Sequence, residues 1–447
     1  MSAPGTQQRT VDLAAVDLTD LSLWADGPPY DIFAQMRREA PVHWNSSADG
    51  RGFWSVTRQA EIAQVSTDPG TYSSARAGVL LRSDSVAPLD FMSTMPIFKD
   101  PPEHDVYRKI VSQAFLPRTM GNLDEAINSA VSQSLDAVLA RGDTGECDLV
   151  RDVAIPVPLL VLGRMLGCAD SDMEKLLIWT DELKEAVTHG GDASATFHQM
   201  AAHFMGLVNN QLIHGVESLA KAIGQAELDG RRLTEEEIAV YFGMLLYLGN
   251  EPTRGAIAGG LLALIQHPEQ AELLRRRPVL LKPSKAGLPP AALAEILRWT
   301  APVGHFARTA TRSVVLGGQQ IKENDRLIMW YPSANRDSDA MAEPDVFDVQ
   351  RDVLTIRQVS YGAGDSPHRC QGSFLGNKIV AATLSATLTR LGDLELAGPV
   401  TWSGSTFANS LTSLPVRFRP ATDPRPEVPE PRDYAPVDPA PTPARSR

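Results

Sequence analysis

Cysteine is scarce: Cys147, Cys168 and Cys370 are the three in 447 residues. So few cannot make a disulfide framework in a chain this long. No two are spaced Cys-x-x-Cys, so a structural zinc site is not expected. No apolar run reaches the roughly 18 residues needed to cross a bilayer. The best candidate, Ile155 to Leu166, is interrupted by Pro156, Pro158 and Arg164. Met1 to Thr10 has neither an apolar core nor a cleavage pattern, so no signal peptide is expected. Positive charge is in deficit: 42 Lys and Arg face 54 Asp and Glu, a formal net charge of −12. Nucleic acid, which demands an excess of Lys and Arg, is therefore not an expected partner. A local basic patch for an acidic protein partner is still allowed. The expected setting is a reducing, cytosolic compartment without a membrane anchor.

What is present is an ordinary globular mix, 43 % hydrophobic and 21 % charged, in a chain long enough to bury a large core. Residues 1–20 look weakly ordered. Pro28, Pro29 and Tyr30 open a helix-like run to Arg38. Val42 to Trp44 and Phe53 to Val56 flank Asp49-Gly50 as a hairpin would. From His104 to Ala222 apolar positions three and four apart predict mostly helix. Glu235 to Gln266 predicts one long helix, apolar on several faces and hence central. A further helix follows Pro289-Pro290. Val314 to Met329 contains strands turning at Gly317-Gly318, Met341 to Gln358 is irregular, and Gly376 to Leu391 is helical. The Pro-, Asp- and Arg-rich stretch 421–447 cannot bury enough surface to fold and is expected to be a disordered tail. The expectation is mainly α with small β-sheets, in a single domain over 21–420.

The most informative segment is Tyr361-Gly-Ala-Gly-Asp-Ser-Pro-His-Arg-Cys-Gln-Gly372, just before a helical run. Glycines on both sides of one cysteine predict tight turns and a backbone held close to something. A thiolate at a helix start gains from the N-terminal field and from nearby N–H donors. One class of haem proteins uses such an axial thiolate to favour O–O cleavage. Cys147 and Cys168 instead read as small core residues.

The segment resembles the haem-binding loop of the cytochromes P450, Phe-Gly-x-Gly-x-His-x-Cys-x-Gly. His368, Cys370 and Gly372 match in spacing. The upstream half departs. If Tyr361 stands for the Phe, extra residues lie between Gly364 and His368; counted without a gap, Ser366 replaces the second glycine and Ala363 the Phe. The resemblance extends from about Pro28 to Pro420. It implies haem b (iron protoporphyrin IX) with Cys370 as the iron ligand, and a cofactor cradle that includes Gly364 and Gly372. It also implies O2 as co-substrate, with a ferredoxin and ferredoxin reductase as electron donors. Glu295-Ile-Leu-Arg298 resembles the family's Glu-x-x-Arg brace, with Arg351 a candidate third member. His104, Arg108, Arg308 and His368 match propionate ligands. His104 and Arg108, four apart, share one helix face and could clamp an anion. Trp330 to Asp337 and Ser413 to Phe418 look like actinobacterial members that oxidise steroids and branched lipids.

The oxygen-activation helix of this family usually carries Ala/Gly-Gly-x-Asp/Glu-Thr-Thr/Ser. Here it is Leu248-Gly249-Asn250-Glu251-Pro252-Thr253, so the acid is kept and proline replaces the alcohol. Proline lacks an N–H and crowds the carbonyl four residues back, that of Leu248. Glu251, Thr253 and Pro252 are therefore the catalytic candidates, with protons expected through Glu251, Thr253 and water, or through a substrate hydroxyl. Three other readings stay open. Pro252 is a tolerated kink; the reaction is ring formation, desaturation or rearrangement; or the chain is a catalytically silent haem-binding partner. A fatty-acid peroxygenase also has proline here, but after an Arg; Glu251 has the opposite sign and disfavours a carboxylate. By position in the resembling fold, the substrate pocket is expected from Leu89, Phe91, Met92, Met95, Leu245, Leu246, Gly249, Asn250, Val303, Phe407 and Leu411, with Asn250, His305 and Asn409 as polar contacts. The resemblance suggests a bulky apolar substrate from secondary metabolism: steroid, terpenoid or polyketide.

Overall fold

A computed structural model describes residues 10–47, 50–81, 93–112, 123–141, 145–214, 219–228, 230–282 and 290–420. Among these the helices run α1 (Tyr30–Glu39), α2 (Gln59–Thr67), α3 (Glu103–Ser112), α4 (Leu123–Leu139), α5 (Pro156–Leu166), α6 (Met173–His189) and α7 (Ser194–His214). They continue as α8 (Leu219–Gly224), α9 (Glu235–Gln266), α10 (Pro268–Arg276), α11 (Ala291–Thr300), α12 (Tyr331–Ala334) and α13 (Ser373–Arg390). Local chemistry sets several ends. Pro156 and Pro268 open α5 and α10, where the missing N–H has no intrahelical partner to lose. Gly167, at φ 81°, closes α5 in the left-handed region that a side chain resists. Thr234 and Glu237 form a reciprocal capping box at the start of α9.

The strands are short. β1 (Val42–Asn45) and β2 (Phe53–Val56) make the expected hairpin, Val42 opposite Val56. With β3 (Tyr72–Ser73), β7 (His305–Ala310) and β10 (Arg326–Trp330) they form a five-stranded sheet ordered β1-β2-β10-β7-β3. Between the last two, β8 (Val314–Leu316) and β9 (Gln319–Ile321) turn on Gly317 and Gly318, both at positive φ as a two-residue hairpin requires. β4 (Gly145–Asp148) departs from the helical expectation for His104 to Ala222. It pairs with β14 (Pro415–Pro420), which also pairs with β11 (Leu391–Leu396). A partner so distant leaves no periodic trace in the local sequence. Weak order was expected over 1–20, but residues 10–20 are tied down: the Val11 N–H donates to Gln35 Oε1 at 3.0 Å, Leu13–Ala15 forms a 3₁₀ turn and Leu18 is fully buried, contacts too distant in sequence to leave a local pattern. Stretch 1–9 and the expected tail 421–447 lie outside the described residues.

Helix α9 organises the interior. Its first half, including Phe242 and Leu246, belongs to one apolar core. Its second half, including Ile257 and Leu261, belongs to another built with α4, α5, α11 and α13. Pro252 sits at the seam. Trp24, Phe33 and Trp330 centre a third cluster against the five-stranded sheet.

Candidate active site

Cys370 immediately precedes α13, with Gly372 as the residue before its first turn. Its N–H donates to the Tyr361 carbonyl at 3.0 Å, closing the loop on itself. Tyr361 is anchored from its other end, its hydroxyl donating to Asn377 Oδ1 at 2.8 Å. That geometry places Tyr361 at the loop base and takes up the extra residues between Gly364 and His368. Gly362 and Gly364 hold φ of 104° and 56°, which favours glycine at both. Gly364 faces Thr67, whose Cγ2 would lie 3.0 Å from an added Cβ, so it serves the turn. Of the three cysteines, Cys370 alone is exposed, yet it lies deep among protein atoms; it faces an internal recess. Burial pushes its thiol up. The N–H groups of Gly372 and Ser373 and the charges of Arg108 and Arg369 oppose that and favour thiolate. Cys147 and Cys168 are buried, both pushed up to about 12 by desolvation.

Four cation-forming side chains converge beside this loop. The rings of His104 and His368 stand 4.3 Å apart. His368 meets the Ser74 hydroxyl at 3.1 Å and is driven down to about 2 by burial and by Arg308, His104 and Arg108. His104 contacts exposed Asp105 at 2.9 Å, and desolvation lowers its pKa. Arg108 donates to the Arg369 carbonyl at 2.6 Å, fixing α3 against the loop. Arg308 is buried, and its one hydrogen bond among the described residues is to the carbonyl of Ala307. A buried guanidinium without a carboxylate is costly unless an anion completes it. An accessible thiol in a recess beside two arginines with no carboxylate ion pair among the described residues, and two imidazoles able to donate an N–H, fits haem: sulfur for iron, and His104, Arg108, Arg308 and His368 for the propionates.

Beneath lies a rigid brace. Arg298 donates to both Glu295 oxygens at 2.7 Å, both side chains fully buried, and to the carbonyls of Asn335, Pro344 and Val346. Arg351 Nε lies 3.4 Å from Glu295 Oε2, as the third member. An i, i+3 pair that would be weak on a surface is here buried with every Arg298 N–H and both Glu295 oxygens hydrogen-bonded.

In α9, Glu251 is buried. It accepts from Ser410 Oγ at 2.7 Å and pairs with buried Arg254 at 2.8 Å. Arg254 also reaches exposed Asp181 at 3.5 Å, so a line of charge runs from the surface to the helix middle. Thr253 donates to the Gly249 carbonyl at 2.7 Å and faces Gly376 of α13. The Asn250 amide is fully buried, with neither end hydrogen-bonded to the described residues.

An apolar cavity opens along the preceding turns of α9. Gly243, Met244, Tyr247 and Leu248 form one wall; Val79, Leu80, Met95, Ile97 and Phe98 another; Leu183, Val187 and Phe197 the roof; Phe306 closes it. Met95 lines it. Leu245 and Leu246 do not: they lie on other faces of α9, Leu246 fully in the core. Gly249 faces Leu162 of α5, and Leu411 packs in the second core. Val303 bridges to Ala408. Phe407 stands against Tyr247 and Phe306 and lines a second space that shares Leu80 and Val187 with the first. Leu89, Phe91 and Met92 lie outside the described residues. His305 is used internally: Nδ1 meets the Thr406 carbonyl at 2.9 Å and Nε2 accepts the Leu81 N–H at 3.0 Å. Asn409 Nδ2 holds the Thr300 carbonyl at 2.6 Å. The roof residues of α6 and α7 were not foreseen. Leu183 and Val187, four apart on α6, carry the only signal, and any amphipathic helix shows it.

The cytochrome P450 family profile matches residues 188–352. Linalool 8-monooxygenase of Pseudomonas putida is 31 % identical over 90 % of this chain and 99 % of its own length. The chain belongs to the cytochrome P450 family. This P450 is also 28 % identical to the methyl-branched lipid omega-hydroxylase of Mycobacterium tuberculosis, over 93 % and 97 % of the two chains. A Mycobacterium marinum cytochrome P450 solved with pseudoionone superposes with a TM-score of 0.80 at 27 % identity, covering 91 % of this chain and 99 % of that one. It is thus a monooxygenase of the oxidoreductase class that binds haem b through a cysteine thiolate. Among the described residues no helix is long and apolar enough to cross a membrane.

Proposed function

We propose that this P450 oxidises a bulky, mostly apolar small molecule carrying one polar group: a terpenoid, steroid, branched lipid or polyketide. The observation that carries this is the cavity lining. Among the described residues Tyr247 is its one side chain with a polar group, and the Tyr247 hydroxyl is buried without a hydrogen-bond partner. An unsatisfied hydroxyl in an apolar wall favours a ligand that completes it. The relatives fit: their names specify linalool and a methyl-branched lipid.

Cys370 is the sulfur ligand in this reading, and His104, Arg108, Arg308 and His368 hold the propionates. The bound haem supplies O2 activation, using electrons delivered by a separate ferredoxin and its reductase. The remaining work belongs to α9. Glu251 passes protons at its carboxylate by way of the Ser410 hydroxyl and ordered water, while Arg254, which keeps its own protons, holds that carboxylate in place and is itself met by Asp181. Thr253 cannot stand in simply for the missing alcohol, because its hydroxyl proton is committed to the Gly249 carbonyl. Pro252 thus shifts proton handling toward Glu251 or toward a hydroxyl on the substrate. That observation also favours a second reading, a non-hydroxylating oxidation such as ring formation or desaturation.

A spin-shift screen of steroids, terpenoids and polyketides tests the class; no shift with any oxygenated apolar ligand would contradict it. With a hit in hand, Tyr247→Phe should weaken binding by about 1 kcal/mol, roughly fivefold. Pro252→Thr should raise the coupling of NAD(P)H consumption to product. Unchanged coupling with the same product would show that the proline is only a tolerated kink.

A further inference from the structure

Away from the haem recess, three metal-ligating side chains meet behind the roof of the cavity. Cys168 follows the left-handed Gly167 that ends α5, its N–H held by the Gly163 carbonyl at 2.8 Å. Asp172 lies in the turn leading into α6; its Oδ2 accepts the Ala169 N–H at 3.0 Å, which directs Oδ1 elsewhere. Oδ1 stands 4.0 Å from Nε2 of His203, on α7. The cysteine sulfur, a carboxylate oxygen and a ring nitrogen all lie within 4.8 Å of one another.

Two further observations separate this group from an accidental cluster. His203 Nε2 is enclosed and has no hydrogen-bond partner among the described residues. Such a nitrogen is costly to leave unsatisfied. Its ring is held between Trp179 and Phe204, with edge contacts at 5.4 Å to each, so it is aimed, not loose. Cys168 is itself buried, and Lys175, the nearby cation, stands over the Trp179 ring at 6.0 Å.

We propose that Cys168, Asp172 and His203 bind a zinc-class divalent ion. One thiolate, one imidazole and one carboxylate suit zinc, with the fourth tetrahedral position open to water. Bonds of about 2.0–2.3 Å set ligand-to-ligand edges near 3.3–3.8 Å, so the three atoms close by about 1 Å on binding. Side-chain rotation at Asp172 and His203 can supply this. Metal uptake releases the Cys168 proton, so affinity rises with pH. The spacing of the three cysteines hid the site, because its ligands come from three segments and two residue types besides cysteine. The ion would tie the α5–α6 corner to α7. Leu183, Val187 and Phe197, which roof the cavity, belong to α6 and α7. Bound zinc would therefore restrain the roof and slow substrate entry and exit.

The haem-loaded enzyme is stripped with a chelator, incubated with zinc, desalted and analysed for metal. Wild type should retain one zinc per chain; Cys168→Ser and His203→Gln should lose it while keeping the Soret band. Zinc retained equally by all three, or by none, overturns the proposal. Should either variant fail to fold, the zinc K-edge spectrum of the wild type decides. One sulfur at about 2.3 Å supports the site, and a shell of nitrogen and oxygen alone rejects it.

Discussion

Arg308 carries its charge into the interior with no carboxylate in ion-pair contact among the described residues, Asp100 acting only from a distance, and the neighbouring histidines are pushed toward neutrality by the same burial. That imbalance fits a site shaped to receive a dianion. Arg308→Gln should therefore lower haem retention without destabilising the apoprotein, since it removes an uncompensated buried cation. Haem titration and urea melts of apoprotein check the two halves. Much at this scale was legible. The Cys370 and His368 spacing, the Glu295–Arg298 pair and Arg351 as its third member stand together in space. Less legible was what each polar group touches. Asn409 and His305 looked available to substrate, yet Asn409 Nδ2 and both His305 ring nitrogens are spent on backbone.

At the scale of elements, α9 shows what a sequence pattern can and cannot resolve. Its bounds follow from the Thr234–Glu237 box and from Pro268 opening the next helix. Its faces do not, because an all-round apolar helix has no phase to read; the cavity side is Met244 and Tyr247, not Leu245 and Leu246. The cap itself makes a prediction. Arg231, the Thr234 N–H and Tyr107 hold Glu237 down to about 2, against desolvation, from an ordinary 4.5. A depressed carboxylate stabilises fully above its unfolded pKa, and that contribution is lost as pH falls from about 4.5 toward 2. Glu237→Gln should destabilise the protein at neutral pH by about 1–2 kcal/mol. It should also flatten the acid loss in that window, as denaturation midpoints against pH will show.

For the whole molecule, three crossings decide the architecture. β4 closes on β14, α13 packs against α9 with Cys370 in the loop before it, and His305 ties the 79–81 segment and Thr406 to the central sheet. None has a local signature, which is why β4 was read as helix. His305 is pulled down to about 4 by burial. Between its ordinary 6.5 and 4 the unfolded chain takes a proton that the folded chain refuses, so stability falls as pH drops through that range. The full effect is on the order of 3 kcal/mol. His305→Gln should show a shallower decline over the same interval.

The central claim is that Cys370 supplies the sulfur bound to haem iron. The most direct measurement is the reduced carbon-monoxide spectrum of Cys370→Ser beside Cys147→Ser and Cys168→Ser. The thiolate-dependent Soret shift should vanish in the first and persist in the other two. Its survival in Cys370→Ser, or its loss in either of the others alone, would contradict the account.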